Sequence, residues 1–410
     1  MTKYLSGIVP AGVDDARQLA GEGLAQALRD SRRQTLARVD DLSVAQWNPA
    51  RQTGINPIAW ELAHLAWFAE FWILRGPHHR DAQGFANALH PHRFAGPDAL
   101  FDSARLGHAQ RWVQPMPTRA ELAVVLQGQL EACVHTIPNT TGTSKADDDP
   151  LYFHRLALFH EDMHGEAFCW MRAALGYPPP AGVAVPTVGD RTLLAIPAAD
   201  VRIGYDTTEL GFAFDNEFPP RAVRLQSFAI DSAPVSAGDF ALFVDAGGFD
   251  APQYWPSEAA KWRAQSTCAH PQRWRRSACG TWETRWFDQW LPLAPDAAAM
   301  HLNAFEAQAY CLWAGRRLPS AAEWEHAAQT QAGFTWGHSV WEWTADTFAP
   351  YPGFTPGPYR EYSQPWFGDH RELRGGAFAT HSRMHNPRYR NFFQPHRSDV
   401  FAGFRTVGLA

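Results

Sequence analysis

The strongest constraint on this chain is a change of hydrophobic period at one place. Up to about residue 175, apolar residues recur every three or four positions over long stretches, the spacing of helices with one buried face. At Tyr177-Pro178-Pro179-Pro180-Ala181-Gly182 three prolines end any helix. Beyond them, short β-type runs alternate with Gly and Pro turns. A chain of 410 residues is too long for one ordinary core, and the break supplies the boundary. This reading gives a four-helix bundle over 1–177, a linker over 178–188 and an α+β domain over 189–410. Hydrophobic residues make up 45% and charged residues 19%, enough for each part to bury a core.

The helical part resolves into four segments. The first runs from Asp15 to Leu42. The second opens at Asn56-Pro57, read as an N-cap followed by proline at the first helical position, and runs to Arg75. The third starts at a capping box, Thr118-Arg119-Ala120-Glu121. The fourth starts at Asp149-Pro150 and ends near Leu175 with Gly176 as its C-terminal stop. The connection over 76–117 is rich in Gly, Pro and His, and a loop that long in a compact domain is usually functional. In the second part, Ala222–Ile230 reads as a strand, and Ala304–Ala314 and Ala321–Ala328 as helices.

Several functions are excluded or disfavoured. The net charge is −6, and no basic patch invites nucleic acid or an anionic membrane. No apolar run approaches the ~20 residues that cross a bilayer, and the N-terminus does not read as a signal peptide. The five cysteines are odd in number and scattered, without a CxxC pair, so reduced thiols and a cytoplasmic location are expected. Eighteen Trp and 26 Phe exceed what a core demands and suit an aromatic-walled small-molecule pocket.

The fourth segment carries Phe153, Ala157, His160, His164, Phe168, Met171 and Leu175 on one face. Two histidines one turn apart occupy the middle of an apolar stripe, close enough to share an ion. The second segment shows the same arrangement in Trp60, His64, Trp67, Phe68 and Phe71. A single histidine on such a face is usually a hydrogen-bonded core residue. Three imidazoles without partners in one core would be costly to bury, so His64, His160 and His164 are read as metal ligands from facing helices. A competing pattern overlaps them: His160-Glu161-Asp162-Met163-His164 fits HExxH, in which Glu161 would be the general base of a zinc hydrolase. Its longer form fails, because Ala167 and Trp170 stand where a glycine and a third histidine are required.

His160, His164 and Glu166, with His64 upstream, resemble the iron site of the sulfoxide synthases of ergothioneine biosynthesis. The second half is similar to the formylglycine-generating enzyme in Phe214-Asp215-Asn216-Glu217, in the run from Gly315 through Arg316, Arg317, Leu318 and Pro319 to Glu325, in Val340-Trp341-Glu342-Trp343-Thr344, in Leu373-Arg374-Gly375-Gly376-Ala377-Phe378 and in Phe401-Ala402-Gly403-Phe404-Arg405. The resemblance implies a DinB-like four-helix bundle followed by a formylglycine-generating-enzyme-like (C-type-lectin-like) domain. It implies an Fe(II) enzyme that uses O2 to join a chalcogen to C2 of the imidazole ring of hercynine, the trimethyl betaine of histidine. It further implies Tyr359 as proton donor with Tyr362 beside it, and Asn391, Phe392, Phe393, Arg397 and Met163 as substrate contacts. The copper-binding cysteine pair of the formylglycine-generating enzyme is replaced by Thr380 and His385, so that activity is not expected.

The departures select a branch. Enzymes of the resembled family that take γ-glutamylcysteine carry an acid at the position of Phe393 and a glutamine at that of Met163; this chain has neither. An apolar side chain cannot pair with the dipeptide's ammonium. With Phe101-Asp102-Ser103 and Arg111-Trp112 in the long loop, the chain is similar to the selenoneine synthases, whose donor is a selenosugar. Asp102, Arg105 and Arg111 are then candidate donor contacts. A thiol-using sulfoxide synthase is the alternative, and a zinc hydrolase the lesser one.

Overall fold

Why the first half is helical is plain from its caps and its burial. In the computed structural model, which describes residues 16–142, 149–206 and 208–408, helix α1 spans Gly21–Ala37, α2 Ile58–Ala69, α3 Arg119–His135 and α4 Tyr152–Leu175. Thr118 and Glu121 close the capping box of α3. Gly176, at φ 70, ends α4 in the left-handed conformation that glycine adopts without penalty. Leu24, Ala27 and Leu28 of α1, Leu130 of α3 and Leu158 of α4 form one apolar cluster. Buried polar pairs fix the register of α1 against α4: Ser31 Oγ donates to Asp162 at 2.6 Å, and Arg32 pairs with Glu161 at 2.5 Å.

Some boundaries differ from the sequence reading. Helix α1 starts at Gly21, where φ is +48, and Asp15 lies outside the described residues. Helix α2 starts at Ile58 with Pro57 as its N-cap, so Asn56 does not cap it. Past Ala69 the chain widens into a π-turn, Glu70–Leu74. Within 76–117 the chain forms a small hairpin, β1 (His78–Arg80) with β2 (Ala86–Ala88), then short helical turns at Asp98–Phe101 and His108–Trp112.

By contact the chain divides into two compact units, one of which holds the four helices over 14–181 and takes back Thr208–Phe212 from the segment assigned to the second domain. The other is α+β. Its strands are β3 (Leu193–Ile196), β4 (Ala199–Ile203), β5 (Arg221–Leu225), β6 (Phe228–Asp231), β7 (Trp274–Arg276), β8 (Trp282–Trp286), β9 (Gln289–Pro292), β10 (Arg316–Arg317), β11 (Trp341–Thr347), β12 (Arg371–Arg374), β13 (Asn391–Phe393), β14 (Ala402–Gly403) and β15 (Val407–Gly408). They form sheets in the orders β10-β15-β6-β3, β13-β12-β11-β14, β4-β5 and β7-β8-β9. The expected single strand over Ala222–Ile230 is two strands in different sheets, broken at Gln226-Ser227. Helices Ala304–Trp313 and Ala321–Thr330 stand where periodicity placed them, each with a capping box, from Asn303 and Ser320. Helices Ala237–Asp245 and Glu258–Gln265 were not anticipated.

The motif residues of this unit are mostly core. Arg405, Glu342, Arg374 and Glu325 are fully buried. Arg405 pairs with Glu342, which also accepts from Trp324 Nε1 at 2.9 Å. Arg374 bridges Glu372 at 2.7 Å and Glu325 at 3.0 Å, and Arg390 reaches Glu372 at 2.7 Å. Buried charges persist only when paired and hydrogen-bonded, which is why these residue types recur as recognisable motifs.

Candidate metal centre

Helix α2 buries all twelve of its residues, and on α4 His160 is buried and His164 half-buried. His160 and His164, one turn apart on α4, meet His64 of α2, and the three imidazoles bring one nitrogen each to within 4.8 Å of one another. His160 Nε2 and His164 Nε2 are 3.2 Å apart.

The hydrogen bonds decide which nitrogen each ring offers. His64 Nδ1 lies 2.8 Å from the carbonyl of Phe101. A carbonyl only accepts, so Nδ1 carries the proton and Nε2 is left with a lone pair. His164 Nδ1 lies 2.6 Å from Glu61 Oε1. Burial pushes the Glu61 carboxyl up, but His164 and its hydrogen bond outweigh this and hold it down at about 2. Glu61 is therefore an acceptor for His164 Nδ1–H, which leaves His164 Nε2 as the nitrogen turned toward His160. Burial, reinforced by the other histidines, drops His64 to about 3 and His160 well below its ordinary value, so both are neutral. A metal ion bound among these nitrogens would take the place of any proton shared between His160 Nε2 and His164 Nε2. Neutral imidazoles with a carboxylate behind one ring are the donor set of a first-row divalent metal, and the residues fit such an ion.

Aromatic rings fix the orientations. Trp60 stacks on His64 at 5.0 Å and 8°, with Trp67 on its other side at 5.8 Å. Phe68 stacks on His160 at 3.6 Å and 6°. Glu61, Trp60 and Phe68 were not anticipated as parts of the site. The available signal was Glu61 itself, the one carboxylate in an otherwise apolar helix, since a charge that deep needs a partner.

Glu161 is not placed as the zinc-hydrolase reading requires. Both its oxygens are held by Arg32, whose NH1 and NH2 also donate to Leu126 O and Gln129 Oε1. One step along a helix turns a side chain by about 100°, and here that directs Glu161 to α1. Glu161→Gln is expected to cost about 1.5–3 kcal/mol of stability, the worth of charged hydrogen bonds, and to leave metal uptake unchanged; melting curves and metal analysis read the two effects separately.

In the long loop, Asp102 and Arg105 hold the loop's own shape, whereas Arg111 reaches beyond it. Asp102 accepts from Ala104 N at 2.9 Å and Arg105 Nε at 3.1 Å, and Arg105 also donates to Ala86 O and Asn87 Oδ1. Arg111 donates to Asn56 Oδ1 at 2.9 Å and to Ser103 O and Leu106 O. Met163 lies half-buried between the two histidines of α4.

Comparison with known proteins places this geometry. Residues 27–168 match the DinB superfamily, and 187–340 with 336–409 match the sulfatase-modifying factor enzyme 1-like domain. The hercynine oxygenase of Mycolicibacterium smegmatis is 30% identical over 448 aligned positions, covering 94% of this chain and 99% of that protein. The chain belongs to the hercynine oxygenase family. The hercynine oxygenase of Mycobacterium tuberculosis is 29% identical, with 94% and 98% covered. A formylglycine-generating enzyme of Streptomyces coelicolor is 26% identical over 53% of this chain. The fold is thus a DinB-type helical domain followed by a sulfatase-modifying-factor-type domain.

In this member of the hercynine oxygenase family, the second unit brings some of the predicted contacts together and separates others. Tyr359 and Tyr362 face each other at 6.3 Å. The Tyr362 hydroxyl lies 3.0 Å from that of Tyr389, and its ring stacks on Phe214 at 4.4 Å. Burial, with Tyr389 beside it, raises the Tyr362 phenol well above its usual range. The segment is anchored by Ser363, whose hydroxyl donates to Asp215 and accepts from Asn216 Nδ2. Burial lifts the Asp215 carboxyl to about 6. Asn391, Phe392 and Phe393 form β13, so neighbours point to opposite faces. Phe392 stacks on Phe348 at 4.1 Å and meets Tyr362 edge-on at 5.7 Å, whereas Asn391 and Phe393 take the other face. Phe393 lies under the guanidinium of Arg397 at 5.1 Å, and Arg397 pairs with Asp399. Where the formylglycine-generating enzyme has its cysteines, Thr380 accepts from Ala377 N at 2.8 Å and His385 is buried. Among the described residues, no helix is long and apolar enough to cross a membrane.

Proposed function

We propose that the chain is an O2-dependent iron(II) enzyme that joins hercynine to a selenosugar through a C–Se bond, on the way to selenoneine. The observation that carries the reading is the buried three-histidine cluster, in a chain that parallels hercynine oxygenases over nearly its whole length. His64, His160 and His164 would hold the metal. Iron(II), when bound there, supplies open positions at which both substrates and O2 can be gathered. In the net reaction the C2–H and Se–H bonds are lost, the C–Se bond forms, and O2 takes four electrons, one oxygen going to selenium and the other to water.

The chain's own residues have assignable parts. Glu61 and the Phe101 carbonyl keep the Nε2 lone pairs of His164 and His64 turned inward. Tyr359 is the proposed donor of a proton from its hydroxyl, with Tyr362 its neighbour. Asn391, Phe392, Phe393 and Met163 are the proposed hercynine contacts, with the Phe392 ring the aromatic face suited to a quaternary ammonium. The choice of donor rests on Phe393. It is apolar, and the cation over its ring is Arg397, an unfavourable setting for a dipeptide's ammonium and no obstacle to a neutral sugar.

The test is product analysis. Purified chain with Fe(II), O2 and hercynine is offered a selenosugar and γ-glutamylcysteine in competition, and products are read by mass spectrometry. The expected product carries selenium on the imidazole ring; a product formed only from γ-glutamylcysteine would make the chain an ergothioneine-type sulfoxide synthase, as the names of its relatives allow. Tyr359→Phe is expected to slow turnover roughly 10²-fold, the usual worth of a general acid, with metal content unchanged and a smaller effect from Tyr362→Phe. Equal rates for Tyr359→Phe and the unmodified protein would end that assignment.

A further inference from the structure

The carboxylate behind His164 does not stand alone. Glu61 Oε1 takes the His164 Nδ1 proton at 2.6 Å, and Oε2 accepts from Asn56 Nδ2 at 2.7 Å. Asn56 Oδ1 in turn accepts from Arg111 NH1 at 2.9 Å. Arg111 NH2 donates to the carbonyls of Ser103 and Leu106 at 3.3 and 3.4 Å. The same guanidinium lies over the Trp60 ring at 4.2 Å, and Trp60 stacks on His64. One loop side chain is thus linked to two of the three histidines by separate routes, one of hydrogen bonds and one of stacked rings. The loop backbone adds a further link, since His64 Nδ1 donates to the Phe101 carbonyl.

We infer that Glu61, Asn56 and Arg111 form a positioning relay that holds His164 in its metal-binding orientation and couples the loop over 76–117 to the metal centre. The inference rests on the three-histidine metal site proposed above. It gives Arg111 a task other than touching the chalcogen donor. Each junction has the polarity a relay needs: an acceptor-only carboxylate receives two donors, and an amide presents its NH2 to one side and its oxygen to the other. A planar guanidinium can stack on an indole and bond in its own plane at once, which a lysine ammonium cannot. Partners of this kind behind a ligating histidine fix its tautomer and raise its basicity.

The relay is tested with Co(II) alone as probe, on the full chain, by titration and by the ligand-field absorption of the bound ion. Glu61→Gln keeps the volume but offers one acceptor and an NH2 to two incoming donors, so the relay must break. It is expected to weaken Co(II) binding roughly 10–100-fold and to shift the absorption band. Arg111→Lys, which keeps the charge and leaves the buried helices intact, is expected to weaken binding less and to shift the band in the same direction. Because the two changes share the Glu61–Asn56–Arg111 path, the double variant should lose clearly less than the product of the two separate losses. Wild-type affinity and an unshifted band in either variant, or losses that multiply in the double variant, would overturn the relay. Should Glu61→Gln be recovered unfolded, Arg111→Lys carries the test by itself. An unmodified protein that takes up no Co(II), or takes it up equally well after His160→Ala, would overturn the metal site and the relay with it.

Discussion

Replacing His160 with alanine is expected to leave a folded protein that neither retains an ion nor turns over. The ring contributes one of three nitrogens that meet within 4.8 Å. Tight protein sites bind their metal with about 10–16 kcal/mol spread over four ligands, so one imidazole is worth about 3 kcal/mol, more than a hundredfold in affinity. The helices have other anchors: the Leu24–Leu158 cluster, the Arg32–Glu161 pair and the Ser31–Asp162 bond do not involve His160. Loss of the Phe68 stack costs stability without removing the fold. The check is metal content after anaerobic loading with Fe(II) and dialysis, alongside hercynine-dependent O2 uptake. Bound metal also stabilises by mass action, so a chelator should lower the melting temperature of the unmodified protein and leave that of the variant unmoved. A variant with full metal content and unimpaired O2 uptake would remove the site assignment.

The second large effect is in the other unit and concerns folding. Arg405→Met is expected to destabilise it by about 3–5 kcal/mol, the cost of leaving one partner of a buried ion pair without the other. Arg405 and Glu342 are both fully buried. The guanidinium also donates to the carbonyls of Asp231 at 2.9 Å and Thr335 at 2.6 Å, and lies over the Phe334 ring at 3.7 Å. Methionine restores bulk and nothing else, so Glu342 is left buried with the Trp324 Nε1 hydrogen bond in place of its ion pair. For a unit of this size the loss corresponds to a fall in melting temperature of roughly 10 °C, read by calorimetry. A double change, Arg405→Met with Glu342→Leu, should recover part of it, because removing both charges relieves the unpaired one. An unchanged transition in Arg405→Met would show that the pair contributes little to folding.

Much of the site was legible because helices are periodic. His160 and His164 are one turn apart whatever surrounds them, and the apolar stripe told which way they face. The Thr118 capping box and the Gly176 stop are local rules, and both are present in the structure. Asn56 shows the limit of such rules. Its place before a proline reads as an N-cap, yet its side chain serves Glu61 and Arg111, partners 5 and 55 residues away. Glu161 shows the same limit from the other side: its motif suggested a base, and its partner Arg32 is 129 residues distant in sequence. The split of Ala222–Ile230 into two strands likewise turns on pairing partners that no window of residues contains.

What the residues by themselves determined here is therefore whatever depends on covalent spacing: the helical and α+β halves, the caps, and the shared face of two histidines. Tertiary structure alone decided the convergence of His64 with that pair, the hydrogen bonds of Phe101 and Glu61 to their rings, and the diversion of Glu161 to Arg32. These are contacts between groups far apart in sequence. Their existence depends on how desolvation and hydrogen bonding are settled across the whole packed core, which spacing along the chain does not encode.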